Sequence, residues 1–277
     1  MRLGGKVFDD YDSPEQWVAA VRANGYRAAG CPVQADADDD TIAAYAQAAA
    51  DADIVIAEVG AWSNPIATDE QQRKDALDKC IRQLRLAERI GATCCVNIAG
   101  SRGEKFNGPH ETNFTRDTFD LIVESIRTII DAVNPTCTKY TLETKPWIFP
   151  DTPKNYLELL EAIDRDAFAV HLDAVNMISS PRRYFDNARF IRRTVRLLGP
   201  HIVSCHVKDV ILHTSQLIHI DECRPGTGGL DIATFMREVE RVDPELPFIM
   251  EHLPSAEEYR LAAEHLRSIA STEGLTL

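Results

Sequence analysis

The sequence predicts a single (β/α)8 TIM barrel, an α/β fold in which eight parallel strands alternate with eight helices. Strand-like and helix-like segments alternate along all 277 residues. The strand-like segments are short apolar runs without strict polar alternation, as expected for strands that are buried on both faces. Eight strand–helix pairs can be counted, which is the number that a closed barrel requires. No linker, repeat or low-complexity tract interrupts them, so we expect residues 1–277 to form one TIM-barrel domain.

The eight predicted strands are rich in valine, isoleucine and cysteine, residues that fit a buried sheet. They cover residues 3–8, 27–33, 54–61, 93–99, 139–143, 168–173, 202–207 and 248–251. Two of the connections that follow strands are long, at residues 100–113 and 208–231. Barrels build their active sites from the loops after strand C-termini, so both connections are expected at the functional end.

The helices between these strands begin at recognisable capping residues. Ser13 precedes Pro14, a residue favoured in the first helical turn. The segment from Thr68 onward is amphipathic and ends at Gly91, a typical helix C-cap. Similar starts at 152–153, 179–181 and 254–257 are expected to open the fifth, sixth and eighth helices.

Composition argues against several classes of partner and location. The net charge of −13 argues against nucleic acid, which needs a basic face. No run approaches the roughly 18 apolar residues that cross a membrane, and the first residues lack the pattern of a signal peptide. Seven cysteines without a CxxC pair indicate a reducing compartment, so we expect a cytoplasmic location.

Four potential metal ligands end the last four predicted strands. They are Glu143, Asp173, His206 and Glu251, separated by 30, 33 and 45 residues, or roughly one strand–helix unit per step. In a closed barrel such side chains converge, and three carboxylates with one imidazole suit Mn²⁺ first, with Mg²⁺, Co²⁺ or Zn²⁺ as alternatives. Carboxylates so close together repel one another unless a cation is present. Taken singly, each acid is equally consistent with a helix cap or an ion pair, and the histidine with a core position.

Residues two apart in a strand share a face, so their spacing (strand parity) predicts which further side chains point into this site. Lys145 and Lys208 are expected to face inward beside Glu143 and His206, either toward substrate or in ion pairs that balance charge. His171 lies one layer below Asp173 and is expected to support a ligand. His252 is expected to point away from the site.

Sequence motifs at the same strand ends resemble those of the xylose isomerase-like TIM-barrel superfamily, which contains sugar phosphate isomerases and epimerases and D-tagatose 3-epimerase-like enzymes. The resemblance covers nearly the whole chain. Its motifs are LE at 142–143, LDAVNM at 172–177, HVKD at 206–209, RPGTGGLD at 224–231 and MEH at 250–252. One position departs from the ketose 3-epimerases, which have histidine where this chain has Asn176.

The resemblance implies that Glu143, Asp173, His206 and Glu251 bind a divalent metal ion and that Glu143 and Glu251 also move protons. The implied reaction is sugar isomerisation or ketose 3-epimerisation through a cis-enediolate, in carbohydrate metabolism, by a dimer or tetramer. The alternative is a metal-dependent lyase or dehydratase that eliminates from a keto-sugar or an oxidised glycoside, and Asn176 keeps this alternative open.

Further residues are candidates for binding a small carbohydrate substrate. Each has a simpler explanation as well: an ion pair for the lysines, a glycine-rich turn around the arginine, or packing beneath loops for the others. The candidates are Asn176, Lys208, Arg224, Lys145, His110, Trp62 and Glu58.

Overall fold

The computed structural model describes residues 1–277, with ten strands and nine α-helices. The strands are β1 (Arg2–Gly4), β2 (Ala28–Gly30), β3 (Val55–Gly60), β4 (Cys94–Asn97), β5 (Lys139–Glu143), β6 (Phe168–Asp173), β7 (Ile202–Val207), β8 (Asp209–Leu212), β9 (Ile220–Cys223) and β10 (Pro247–Met250). The helices are α1 (Pro14–Ala23), α2 (Asp39–Asp51), α3 (Glu70–Ile90), α4 (Arg116–Val133), α5 (Pro153–Ile163), α6 (Pro181–Phe185), α7 (Asn187–Leu198), α8 (Ile232–Val242) and α9 (Ala256–Glu273). None of these helices combines the length and the hydropathy of a membrane span.

Eight of the strands close into a barrel in the order β1-β10-β7-β6-β5-β4-β3-β2. The predicted α/β barrel is therefore confirmed. Strands β8 and β9 stand apart as a two-stranded antiparallel sheet, and they form a hairpin inside the long connection 208–231. The sequence marked this segment only as a long connection, because the hairpin strands are short and half exposed and so lack a continuous apolar run.

The chain divides into two units by internal packing, and the first contains Met1–Ala29, Ala48–Val55 and Leu172–Leu277. Within it, β1 pairs in parallel with β10, placing Leu3 beside Phe248. Strand β10 pairs in parallel with β7, placing Ile249 beside His206. This register aligns the C-terminal ends of β7 and β10, so residues that follow them meet at one edge.

The second unit contains Gly30–Gln47 and Ile56–His171. Here β3, β4, β5 and β6 pair successively in parallel. The hydroxyl of Tyr156, buried under this sheet, donates to the carbonyl of Leu142 at 2.6 Å and accepts from the amides of Leu142 and His171 at 3.2 Å. One hydroxyl thereby joins β5 and β6 next to Glu143.

The predicted helix caps are present in the structure. The side chains of Ser13 and Thr152 accept hydrogen bonds from the amides of Gln16 and Asn155. Gly91 ends α3 in the left-handed conformation, with φ of 72°. Residues such as serine and threonine satisfy amides that the first helical turn leaves unpaired, which explains why the sequence located these boundaries well.

Glu88, on α3, caps the start of the segment that leads into β5. Its carboxylate accepts from the amides of Thr136, Cys137 and Thr138 at 2.8, 3.1 and 3.1 Å. Partial burial opposes ionisation, but the hydrogen bonds from Thr136 and its neighbours outweigh it and lower the pKa of Glu88 to about 2.

Replacing Glu88 by glutamine should therefore lower stability in a pH-dependent way. The folded-state pKa is depressed, so the carboxylate stabilises the fold fully above pH 4.5, and the advantage declines as pH falls toward about 2. We expect Glu88→Gln to lower the free energy of unfolding at pH 7 by about 1 kcal/mol. Urea unfolding at pH 7, 5 and 3 measures the difference, with exposed Glu161→Gln on α5 as the control. A difference that stays constant down to pH 3 would contradict this role.

Candidate metal centre

Asp173, His206 and Glu251 form an acidic cluster with a histidine in the first unit. They lie at the end of β6, near the end of β7 and directly after β10. Asp173 and His206 are buried, and one ligand atom from each of the three lies within 4.8 Å of the others. Nδ1 of His206 is 3.1 Å from Oε2 of Glu251. Two carboxylates and an imidazole in this arrangement fit a divalent cation that prefers oxygen and nitrogen ligands.

The ammonium group of Lys208 lies among these carboxylates. Its Nζ atom is 2.9 Å from Oδ2 of Asp173, 2.5 Å from Oε1 of Glu251 and 3.0 Å from Oε2 of Glu222. The lysine is only 2 % exposed. A buried ammonium is stable only when it is paired, so these contacts explain how Lys208 is accommodated. The inward orientation expected from strand parity agrees with this position.

Glu222 and His252 extend the charged network beyond the predicted residues. Nδ1 of His252 is 3.0 Å from Oε2 of Glu222, and its Nε2 is 3.4 Å from Oε2 of Glu251. Burial opposes ionisation of Glu222, yet hydrogen bonds from His252 and Lys208 lower its pKa to about 2. The same bond to Glu222 is the main cause of the raised pKa of His252.

Glu251 is held in its ionised form by its neighbours. Burial alone would raise the pKa of this carboxyl, but the positive charges of His206, Lys208 and His252 hold it well below its usual range. The carboxylate therefore has the protonation state that a metal ligand or a proton acceptor requires.

A cavity of about 180 Å³ opens beside this network. Arg224 lies on its wall, where its Nε is 2.9 Å from Oε2 of Glu258 at the start of α9. A small cavity lined mainly by charged side chains suits a small hydroxylated molecule. Its lining consists of Lys208, Glu222, Cys223, Arg224, Glu251, His252, Leu253, Pro254 and Glu258.

Asp209 fixes the loop that carries Arg224. Its Oδ2 accepts from the amides of Gly226 and Gly228 at 3.0 Å each, and its Oδ1 accepts from the amides of Val210 and Leu230 at 2.8 Å. A side chain at Gly228 would clash with Val210 and Asp209. The RPGTGG segment is therefore a turn wrapped around the buried carboxylate of Asp209. A glycine-rich turn was the simpler of the two explanations considered for this segment.

In the second unit, Glu143 ends β5 and is 2 % exposed. Its Oε2 is 2.7 Å from Nζ of Lys145, so the two inward-facing residues form an ion pair. Oε2 of Glu58, on β3, is 3.9 Å from Nδ1 of the fully buried His171. Lys145 thus balances the charge of Glu143. A charge-balancing ion pair was one of the two roles that the sequence left open for Lys145.

Three further substrate candidates lie in loops at strand ends. The amide of Asn176 donates to Oδ1 of Asp173 at 3.0 Å, which fixes the turn after β6. Trp62, after β3, has 39 % of its surface exposed. The ring of His110 is exposed, and its Nδ1 is 3.0 Å from the hydroxyl of Thr112. Trp62 and His110 remain predictions as substrate contacts.

Two residues of the network were missed from the sequence for different reasons. His252 was expected to point away, but its backbone adopts a left-handed φ of 57°, which strand parity does not anticipate. This conformation brings its ring to Glu222 and Glu251. Glu222 lies on the unforeseen hairpin strand β9, and only the acidic IDEC sequence of that strand marked it.

Structures of similar fold include proteins with several activities. A xylose isomerase-like TIM barrel protein from Mycobacterium smegmatis, in complex with magnesium, is 16% identical over 98% of this chain and 96% of its own, with a TM-score of 0.68. The probable 3-DHS dehydratase AsbF from Bacillus anthracis is 16% identical over 97% and 98%, with a TM-score of 0.71. D-psicose 3-epimerase from Clostridium cellulolyticum H10, solved with D-tagatose, is 14% identical over 97% and 99%, with a TM-score of 0.67.

At these identities the similarity establishes the fold. No curated protein matches the sequence. A family model described as xylose isomerase-like TIM barrel matches residues 18–269. The chain therefore belongs to the xylose isomerase-like TIM barrel family.

Proposed function

We propose that this protein is a divalent-metal-dependent enzyme that isomerises or epimerises a small sugar. The observation that carries the proposal is the donor set of Asp173, His206 and Glu251, the first two buried, with ligand atoms within 4.8 Å of one another. Glu251 also lines a cavity of about 180 Å³. Magnesium in the Mycobacterium smegmatis relative and the ketose 3-epimerase among the similar folds add support.

Glu143 is proposed as the fourth ligand. It ends β5, the strand next to β6 in the barrel order, and it is buried with its carboxylate oriented by Lys145. Three carboxylates and one imidazole favour Mn²⁺, while Mg²⁺, Co²⁺ and Zn²⁺ fit the same donors less specifically. When bound there, such a cation polarises a sugar carbonyl and makes the neighbouring C–H more acidic.

The two glutamates then move the proton. One carboxylate, Glu251 or Glu143, removes the proton beside the carbonyl, and the other returns a proton to the resulting cis-enediolate. Return to the opposite face of the same carbon gives epimerisation, whereas transfer to the neighbouring carbon gives isomerisation. Arg224 and Asn176 are proposed to hold substrate hydroxyl groups, because both side chains offer hydrogen bond donors, Arg224 lines the cavity and Asn176 follows Asp173 by three residues. Trp62, His110 and Glu58 are proposed to shape the remainder of the rim.

Lys208 is proposed to have two successive roles. Without a cation, its ammonium neutralises one oxygen each of Asp173 and Glu251. Asp173 and Glu251 would offer these same oxygens to a divalent ion, and the ammonium of Lys208 would then be available to donate to a substrate oxygen. The charge of the centre is thereby balanced in both states.

Replacement of Lys208 by methionine tests this exchange of charges. We expect Lys208→Met to destabilise the metal-free protein by about 3 kcal/mol or more, because buried carboxylates lose their counter-charge. Adding Mn²⁺ should raise the melting temperature of the variant more than that of the wild type, since no ammonium has to be displaced. Calorimetry with and without Mn²⁺ measures both effects.

The control is exposed Lys154→Met on α5, which should change stability by about 0.5 kcal/mol at most. Equal Mn²⁺-induced shifts for Lys208→Met and wild type would mean that Lys208 does not compete with the ion.

Metal removal and Glu251→Gln test the catalytic assignment. Chelation should abolish turnover and Mn²⁺ should restore it, with about one ion per chain. Glu251→Gln should keep part of its metal yet lose about 10²- to 10⁴-fold in kcat, because an amide cannot accept the proton. Glu264→Gln, exposed on α9, is the matched control. Full activity in Glu251→Gln would refute the proton-transfer role.

The reaction type is decided by isotope exchange. Incubation of the Mn²⁺-loaded protein with a panel of ketoses in D₂O should introduce deuterium beside the carbonyl, detectable by NMR. If no free ketose exchanges but a 3-keto-glycoside undergoes elimination, the lyase alternative replaces the epimerase. Absence of both reactions across the panel would count against an enolising enzyme.

A further inference from the structure

We propose that the β8–β9 hairpin carries a second metal site, formed by His213, His219 and Asp221, for a transition-metal ion such as Zn²⁺. These residues belong to the outer part of the hairpin and not to the centre around Glu251. The proposal is independent of the reaction assigned above.

The hairpin places the three side chains on one face. Its register pairs Leu212 with Ile220 and Ile211 with Asp221 in an antiparallel ladder. The amide of His213 donates to the carbonyl of His219 at 2.9 Å, which continues that ladder by one pair. Because residues two apart share a face, His219 and Asp221 lie on the same side as the opposing His213.

The side-chain distances agree with the antiparallel pairing of β8 and β9. Nε2 of His213 is 3.0 Å from Oδ2 of Asp221, and Nε2 of His219 is 3.2 Å from the same oxygen. The two imidazole rings lie 5.0 Å apart between centroids. Both histidine rings thus direct Nε2, one of the two ring nitrogens that can bind a metal ion, toward the carboxylate of Asp221.

The two nitrogen–oxygen separations are close to those between neighbouring ligands of a real coordination sphere. Ligand atoms held at about 2.0 Å from a tetrahedral ion lie roughly 3.3 Å from one another. The side chains of His213, His219 and Asp221 are 42 %, 64 % and 51 % exposed, so all three have room to rotate toward one ion. Solvent can supply the remaining ligands.

The donor atoms of the hairpin site favour a different metal ion from the one that the buried centre favours. Two imidazoles and one carboxylate are a typical set for Zn²⁺, and the Irving–Williams order favours Cu²⁺, Ni²⁺ and Zn²⁺ over Mn²⁺ at such a site. The buried centre has more oxygen ligands and suits Mn²⁺ or Mg²⁺ better. The hairpin site should therefore bind zinc when zinc is added, and should stay nearly unoccupied when only manganese is added.

An ion at this position would hold the turn-proximal ends of β8 and β9 together. The opposing His213 and His219 lie next to the turn, where the hydroxyl of Ser215 donates to the carbonyl of Leu217. On β9, Glu222 follows Asp221 and its carboxylate is bonded to Lys208 and His252. Binding on the outer face thus restrains a strand whose other face contacts the buried network.

Zinc titration of the full chain tests the proposal. Protein stripped of metal by a chelator is titrated with Zn²⁺ alone, and binding is followed by isothermal titration calorimetry. The wild type is compared with the double variant His213→Asn/His219→Asn, and with His201→Asn, an exposed histidine before β7, as the control. Because the buried centre is intact in all three proteins, its contribution cancels from the comparison.

We expect the wild type and His201→Asn to bind one more zinc ion than the double variant, or to bind that ion at least about ten-fold more tightly. Hydrogen–deuterium exchange of the amides at 214–218 should slow on addition of zinc in the wild type and not in the double variant. The substituted side chains are exposed, so all three proteins should unfold at the same denaturant concentration without metal. Equal zinc stoichiometry and affinity in the double variant and the wild type would overturn the proposal.

Discussion

The buried ammonium of Lys208 is the interaction on which the architecture of this centre depends. It lies within 3.0 Å of carboxylate oxygens from Asp173, Glu222 and Glu251. Negative charges held this close in a poorly solvated interior repel one another strongly unless a cation lies between them. One positive charge thereby allows the end of β6, the end of β10 and the hairpin strand β9 to approach each other.

The barrel and the ends of its strands could be predicted from sequence because both depend on local patterns. Apolar runs and capping residues recur at each strand–helix unit, and Asp173 and His206 terminate or nearly terminate such runs. The hairpin and His252 could not be predicted in this way. The hairpin strands are too short and too exposed to give an apolar pattern, and the left-handed backbone at His252 reverses the direction that parity assigns.

Backbone polar groups explain why the loop after β7 is well defined despite its glycines. Four amides converge on the carboxylate of Asp209, which is 2 % exposed. A buried amide without an acceptor is costly, so each hydrogen bond restricts the conformations open to the turn. The HVKD motif thus combines a candidate ligand (His206), a counter-charge (Lys208) and a loop anchor (Asp209) within four residues. Their spatial contacts, and not their order in the chain, distinguish these roles.

Asp209 also divides the connection 208–231 into a fixed base and a projecting hairpin, and the hairpin can change in sequence independently of the base. Its bonds to Val210 on one side and to Gly226, Gly228 and Leu230 on the other close the base of the loop around a fixed point. Residues 211–221 project from that base, so insertions, deletions or a replacement hairpin that keeps Glu222 can be accepted there without moving β7 or α8. Such a segment offers a natural place for relatives to change substrate preference while the barrel stays the same, and for a grafted hairpin to be tried in the laboratory.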